Sequence, residues 1–158
     1  MRKFIAIILV AAFALVGCGV GSSPFSEINA DDYYDVLVAV MSSGLDLIRS
    51  FEEEHIELAV EFLNSIETTG TPVPYNDTAH PFAGIRLARN DGAATRVIDF
   101  HGMSEELNTF RIRYNGFEYR VRNPARVYED LKNLRITLGP CLRTPIYWEA
   151  YIYGQTNN

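Results

Sequence analysis

The stretch FRIRYNGFEYRV, Phe110 to Val121, decides the fold class. Asn115-Gly116 sits between two alternating runs, the pattern of a two-residue type I′ hairpin turn. Such a turn pairs Tyr114 with Phe117, Ile112 with Tyr119 and Phe110 with Val121, all on one side of the ribbon. Arg113 then faces Glu118 and Arg111 faces Arg120 on the other side, with Arg122 next along it. The hairpin is apolar on one face and arginine-rich on the other. Its apolar face must be laid on a core, so the chain contains an antiparallel sheet.

Working outward toward the C-terminus, Asn123-Pro124 predicts a helix start, with Asn as cap and Pro in the first turn. Val127, Tyr128 and Leu131 give that helix an apolar side. Leu134, Ile136 and Leu138 alternate and predict a further strand. The aromatic run IYWEAYIY, Ile146–Tyr153, predicts the last one. Toward the N-terminus, Gly84–Arg89 and Thr95–Phe100 read as strands around an Asp91-Gly92 turn, preceded by a loop over Tyr75–Pro81.

Before that loop the period changes. Tyr34, Leu37, Val38, Met41, Leu45 and Ile48, then Phe51, His55, Leu58, Phe62 and Ile66, follow helical spacing. The stripe predicts one long helix, or two meeting at Ser42–Gly44. Asp31, Asp32 and Asp35 suit its N-terminus, and Thr68–Pro74 ends it. The expected fold is α+β: an N-terminal acidic helical segment, then an antiparallel sheet with one short helix.

Charge is divided along the chain. Residues 18–80 hold twelve acidic side chains and one basic, Arg49, a net of −11. Residues 81–158 hold eleven basic and eight acidic, a net of +3. The plain expectation is that the two halves pack and partly neutralise each other. The alternative is two surfaces with different partners.

The first nineteen residues carry a motif. Met1-Arg2-Lys3 is followed by thirteen apolar residues, Phe4–Val16, and then Gly17-Cys18. A run of this length matches the apolar region of a secretory signal and is short for a membrane span. Leu15-Val16-Gly17-Cys18 resembles the lipobox of bacterial lipoproteins. The resemblance implies cleavage between Gly17 and Cys18, removal of residues 1–17, and a diacylglycerol on the Cys18 sulfur with an N-acyl chain such as palmitate. Two or three chains on one residue hold a protein at a membrane where one chain does not. Residues 18–30 then form a flexible tether and residues 31–158 a single domain. The implied location is the extracytoplasmic face of the cell membrane. The outer membrane is implied where the host has one, because Gly19 is not the Asp that favours inner-membrane retention.

Other constellations are weaker. Glu52 and His55 have the spacing of a metal-ligand pair on a helix, but such sites need two of these motifs, so His55 reads as a core residue and no metal is expected. Asp99, His101 and Ser104, with Cys141 elsewhere, admit a Cys-dependent cell-wall hydrolase, yet no nucleophile elbow surrounds Cys141 or Ser104. Cys141 reads as a buried apolar residue. The planar forks of Arg111, Arg113, Arg120 and Arg122 suit an anion or an acidic partner. Tyr147, Tyr151 and Tyr153 admit a small-ligand or lipid pocket instead. Nucleic acid is not an expected partner for an acidic protein outside the cytoplasm. The expected function is a non-catalytic binding or accessory protein of the cell envelope. Its contact surface would be the arginine face, and its only added group the lipid on Cys18.

Overall fold

The computed structural model describes residues 23–41, 45–75, 81–102 and 110–139. Seven strands form one antiparallel sheet: β1 Tyr33–Met41, β2 Leu45–Ser50, β3 Thr68–Pro74, β4 Ala83–Arg89, β5 Arg96–His101, β6 Arg111–Tyr114 and β7 Phe117–Val121. Their order across the sheet is β2-β1-β4-β5-β6-β7-β3. Two helices accompany it, α1 Glu53–Asn64 and α2 Pro124–Thr137. The protein is therefore α+β.

The core lies between the helices and one face of the sheet. Val36, Val38 and Val40 of β1 share that face with Ala83, Ile85 and Leu87 of β4, Ile98 and Phe100 of β5, and Ile112 of β6. Against them pack Ile56, Ala59, Val60, Phe62 and Leu63 from α1 and Val127, Leu131 and Leu134 from α2.

The hairpin of Phe110–Val121 forms in the expected register: Arg111 pairs with Arg120, Ile112 with Tyr119, Arg113 with Glu118 and Tyr114 with Phe117. Asn115 and Gly116 have φ of 50° and 80°, as a type I′ turn requires. A Cβ on Gly116 would meet nothing within 4 Å. Gly116→Ala is therefore expected to cost only the backbone penalty, about 1 kcal/mol in urea denaturation.

Three local expectations are corrected. The helical segment expected from Asp31 onward begins instead at Glu53, and Tyr33–Met41 and Leu45–Ser50 are the paired antiparallel strands β1 and β2. Val36–Val40 is a continuous apolar run rich in valine, which suits a central strand buried on both faces. Its positions satisfy the helical and the strand period equally. The strand expected at Leu134–Leu138 is the last turn of α2 and its C-cap. Val127, Leu131, Leu134 and Leu138 are all buried at helical spacing, whereas Ile136 points outward at 69% exposure. Thr68–Pro74, expected only to break a helix, is an edge strand, with its register broken between Thr69 and Val73. Pro72 and Pro74 have no N–H to offer a further strand, so they protect that edge.

The boundary at residue 30 also moves. Phe25 and Ile28 are buried, and the Phe25 ring packs 5.2 Å from that of Tyr114. Ser23 Oγ donates to the Leu63 carbonyl at 3.1 Å, and Asn64 Nδ2 donates to that of Ile28 at 3.4 Å. Ser23–Ala30 therefore belongs to the folded body rather than to a flexible tether. Cys18, Ser104, Cys141 and Ile146–Tyr153 lie outside the described residues.

Candidate functional site: the charged face of the sheet

Alternation along the strands sends a second set of side chains away from the helices. From β2 to β7 these include Arg49; Asp35, Leu37 and Ala39; Arg86; Val97, Asp99 and His101; Arg111 and Arg113; and Glu118 and Arg120. Two cross-strand rows organise the β5–β7 end. One runs Asp99–Arg113–Glu118, alternating in sign. The other runs His101–Arg111–Arg120.

In the first row Arg113 and Glu118 form an ion pair. Arg113 is buried at 6% exposure, its Nε donates to Glu118 Oε2 at 3.0 Å, and its guanidinium lies 4.6 Å over the Tyr75 ring. Asp99 sits beside it on β5. Burial holds the Asp99 carboxyl above the ordinary carboxylate range, against the opposing pull of Arg86 and Arg113. The folded protein therefore binds this proton more tightly than the unfolded chain does. Ionising Asp99 costs stability as the pH rises above the ordinary carboxyl value of about 4. Asp99→Asn is expected to raise the thermal midpoint at neutral pH, with a gain that shrinks as the pH approaches about 4. Paired melting curves across that range check it.

The second row differs. Arg111 is half-buried and its Nη1 donates to the Phe110 carbonyl at 2.8 Å. Arg120 stands directly opposite, exposed. Like charges placed so oppose each other unless a counter-charge bridges them. His101, buried, pairs with Arg111 from the other side.

The four arginines expected to form one contact surface therefore separate. Arg113 is committed to Glu118 and Tyr75. Arg122 is paired with Glu67 at 3.0 Å, and its backbone N–H donates to the Glu67 carbonyl. Arg111 and Arg120 are register partners on the face.

Among the described residues Arg122–Glu67 is the one ion pair joining the acidic and basic halves. The others, including Arg49–Asp35 and Arg126–Asp130, form within a half. The α1 surface of Glu53, Glu54, Glu57 and Glu61 stays exposed.

His55 is placed by Ser50, with a 2.8 Å hydrogen bond between Nδ1 and the hydroxyl. Asp99 and His101 share a face of β5. Among the described residues no three His, Cys, Asp or Glu side chains gather as a metal site would require.

Two features had no clear signal in the sequence. Asp35 and Arg49, assigned there to a helix, are cross-strand neighbours. Arg49 donates twice to Asp35 Oδ2, at 2.9 and 2.6 Å, and its guanidinium lies 4.9 Å over Phe51. The second feature is a cleft of about 430 Å³ at the turn end of β4 and β5, lined by Tyr75, Arg89, Ala93–Val97, Asp99 and Asn115. Arg89 is pinned there by Asp91 at 2.9 and 2.6 Å. That guanidinium, with the Ala93 N–H, holds the Asp91 carboxyl down at about 2.

No protein-family model, curated protein or solved structure matches the chain.

Proposed function

We propose that the protein is a lipid-anchored, extracytoplasmic binding protein of the cell envelope, held by acyl chains on Cys18. We further propose that it contacts an anionic partner through Arg111 and Arg120. The observation that carries the anchoring is the order of three features: Met1-Arg2-Lys3, the apolar run Phe4–Val16, and Leu15-Val16-Gly17-Cys18. A thiolate at that position is the natural acceptor for a lipid chain. Among the described residues no helix is long and apolar enough to cross a membrane.

The packing of Ser23–Ala30 makes the anchored geometry specific. Five peptide steps separate Cys18 from Ser23, a reach of about 18 Å at full extension. The folded body is then held against the lipid surface, and its partner must lie within reach of that surface.

The partner contact is supported by the Arg111–Arg120 pair, two planar forks set opposite each other on one face. A phosphate or carboxylate group reaching this face would gain charge-assisted hydrogen bonds from a planar guanidinium fork. In-cell cross-linking of the anchored protein tests this. The expected result is capture of an envelope component that is lost in Arg120→Glu and in Arg111→Glu. Capture unchanged by both substitutions would overturn the contact assignment.

A further inference from the structure

We propose that the outer edge of β2 takes up an extended, basic segment of another polypeptide as an added strand. This edge lies across the sheet from β6 and β7, so the proposal is independent of the Arg111–Arg120 contact and of the lipid anchor.

The two edges of the sheet differ. β3 is guarded by Pro72 and Pro74 and by a broken register against β7. β2 has no proline, and its register against β1 runs without a shift from Leu45 to Ser50. Among the described residues no strand pairs with its outer side. Such an edge presents a row of backbone N–H and C=O groups to a further strand. Main-chain pairing of this kind is a general mode of peptide uptake, with side chains setting the preference. The edge is also fixed in advance. Ile48 is buried on the helix side and Leu47 on the other, and Arg49 is tied to Asp35 at 2.6 Å. A strand held in this way loses little freedom when a partner pairs with it.

Charge selects the partner. Residues 46–61 hold six acidic side chains and one basic, Arg49, a net of −5. Asp35 answers the Arg49 charge, so Arg49 offsets none of the others. The Ser50 hydroxyl lies 2.8 Å from His55 Nδ1 and accepts the Glu52 N–H at 3.1 Å. These two bonds pin the first turn of α1 to the last residue of β2. Exposed Glu52, Glu53 and Glu54 are thereby gathered at one end of the edge. Lys or Arg side chains on an incoming strand would meet them there. Phe51, 62% exposed at the same end, adds apolar surface of the kind that anchors interfaces.

Neither other source of a strand supplies that positive charge. A second copy would bring the same negative excess against the first. Residues 140–158 hold one basic and one acidic side chain, Arg143 and Glu149. A separate basic polypeptide is the complementary occupant.

Hydrogen–deuterium exchange on the full chain in nonionic micelles tests the proposal. The probe is a peptide of about ten residues alternating Lys and Val, the length of a long strand. The expected result is added protection of amides within Leu45–Ser50 and none within Thr68–Pro74. A peptide alternating Glu and Val should protect nothing. The Lys–Val peptide N-methylated throughout, which keeps its charge but cannot donate to a strand, should also protect nothing. Affinity should fall about tenfold in the combined Glu53→Gln and Glu54→Gln variant. It should hold in Glu27→Gln with Glu129→Gln, an equal change of net charge elsewhere on the surface. The proposal is overturned if the Lys–Val peptide adds no protection to β2 at about 1 mM, a concentration that detects weak binding. It is also overturned if the N-methylated peptide protects equally, or if the two pairs of substitutions weaken binding alike. Protection of every β2 amide without peptide would overturn it too. The occupant is then a second copy if the protein sediments as a dimer, and the chain itself if it sediments as a monomer. The peptide controls leave the protein unaltered, so the test stands even if a substitution unfolds it. Failure here would leave lipid attachment to Cys18 and the Arg120 contact untouched.

Discussion

Phe100→Ala is expected to destabilise the protein by about 3–5 kcal/mol, the range for removing a fully buried aromatic ring. Phe100 has no exposed surface. It lies on β5 between Ala83 and Ile112 in the sheet register, with the rings of Phe62 from α1 at 6.2 Å and Phe110 at 6.1 Å. It therefore joins three elements that are distant in the chain, and the side chains around the void cannot close it without moving a helix or a strand. A domain of this size has about 5–15 kcal/mol of stability in total, so the loss should be visible as a large drop in the urea midpoint. Phe117→Ala, at a ring 43% exposed, should cost under about 1 kcal/mol. Similar costs for the two would mean that the helix–sheet core is not where it has been placed.

Glu118→Ala is expected to cost about 1–3 kcal/mol. Removing one partner from a fully buried pair costs about 3–5 kcal/mol, but Glu118 is 29% exposed and water will screen part of the loss. The cost arises because the Arg113 guanidinium stays within the sheet face when its bonded carboxylate is gone. Asp99, beside it in the register, supplies partial compensation. The double substitution Arg113→Met with Glu118→Leu removes both charges and retains volume, so it should cost less than Glu118→Ala alone. Urea denaturation of the three variants measures the coupling. A double variant less stable than Glu118→Ala would show that Arg113 contributes chiefly through its stacking on Tyr75.

What could be read from the chain and what could not follows from the range of the determining contacts. The hairpin at Phe110–Val121 is legible because its turn, register and faces are all set within twelve residues. The helix start at Asn123-Pro124 is legible for the same reason. The β1–β2 hairpin is not. Val36–Val40 is apolar without interruption, its period is degenerate, and only pairing with β4 shows that it is a central strand. Leu134 and Leu138 fit both alternation and helical spacing, and the burial of Val127 and Leu131 on the same stripe selects the helix.

The candidate face was legible as a row of arginines but not as a surface. Arg113 is withdrawn from it by Tyr75, and Arg122 by Glu67, partners from the β3 region that no local pattern links to the hairpin. The cleft is assembled from the end of β3, the β4–β5 turn and the β6–β7 turn, so its lining has no signature in any one segment.

The most direct test of the proposed anchoring is the intact mass of the full chain extracted from membranes of its host. The expected species has its N-terminus at Cys18, carries a diacylglycerol and an N-acyl chain, and is lost in Cys18→Ala. A chain that retains Met1, or one cleaved near Gly17 with an unmodified Cys18, would contradict it.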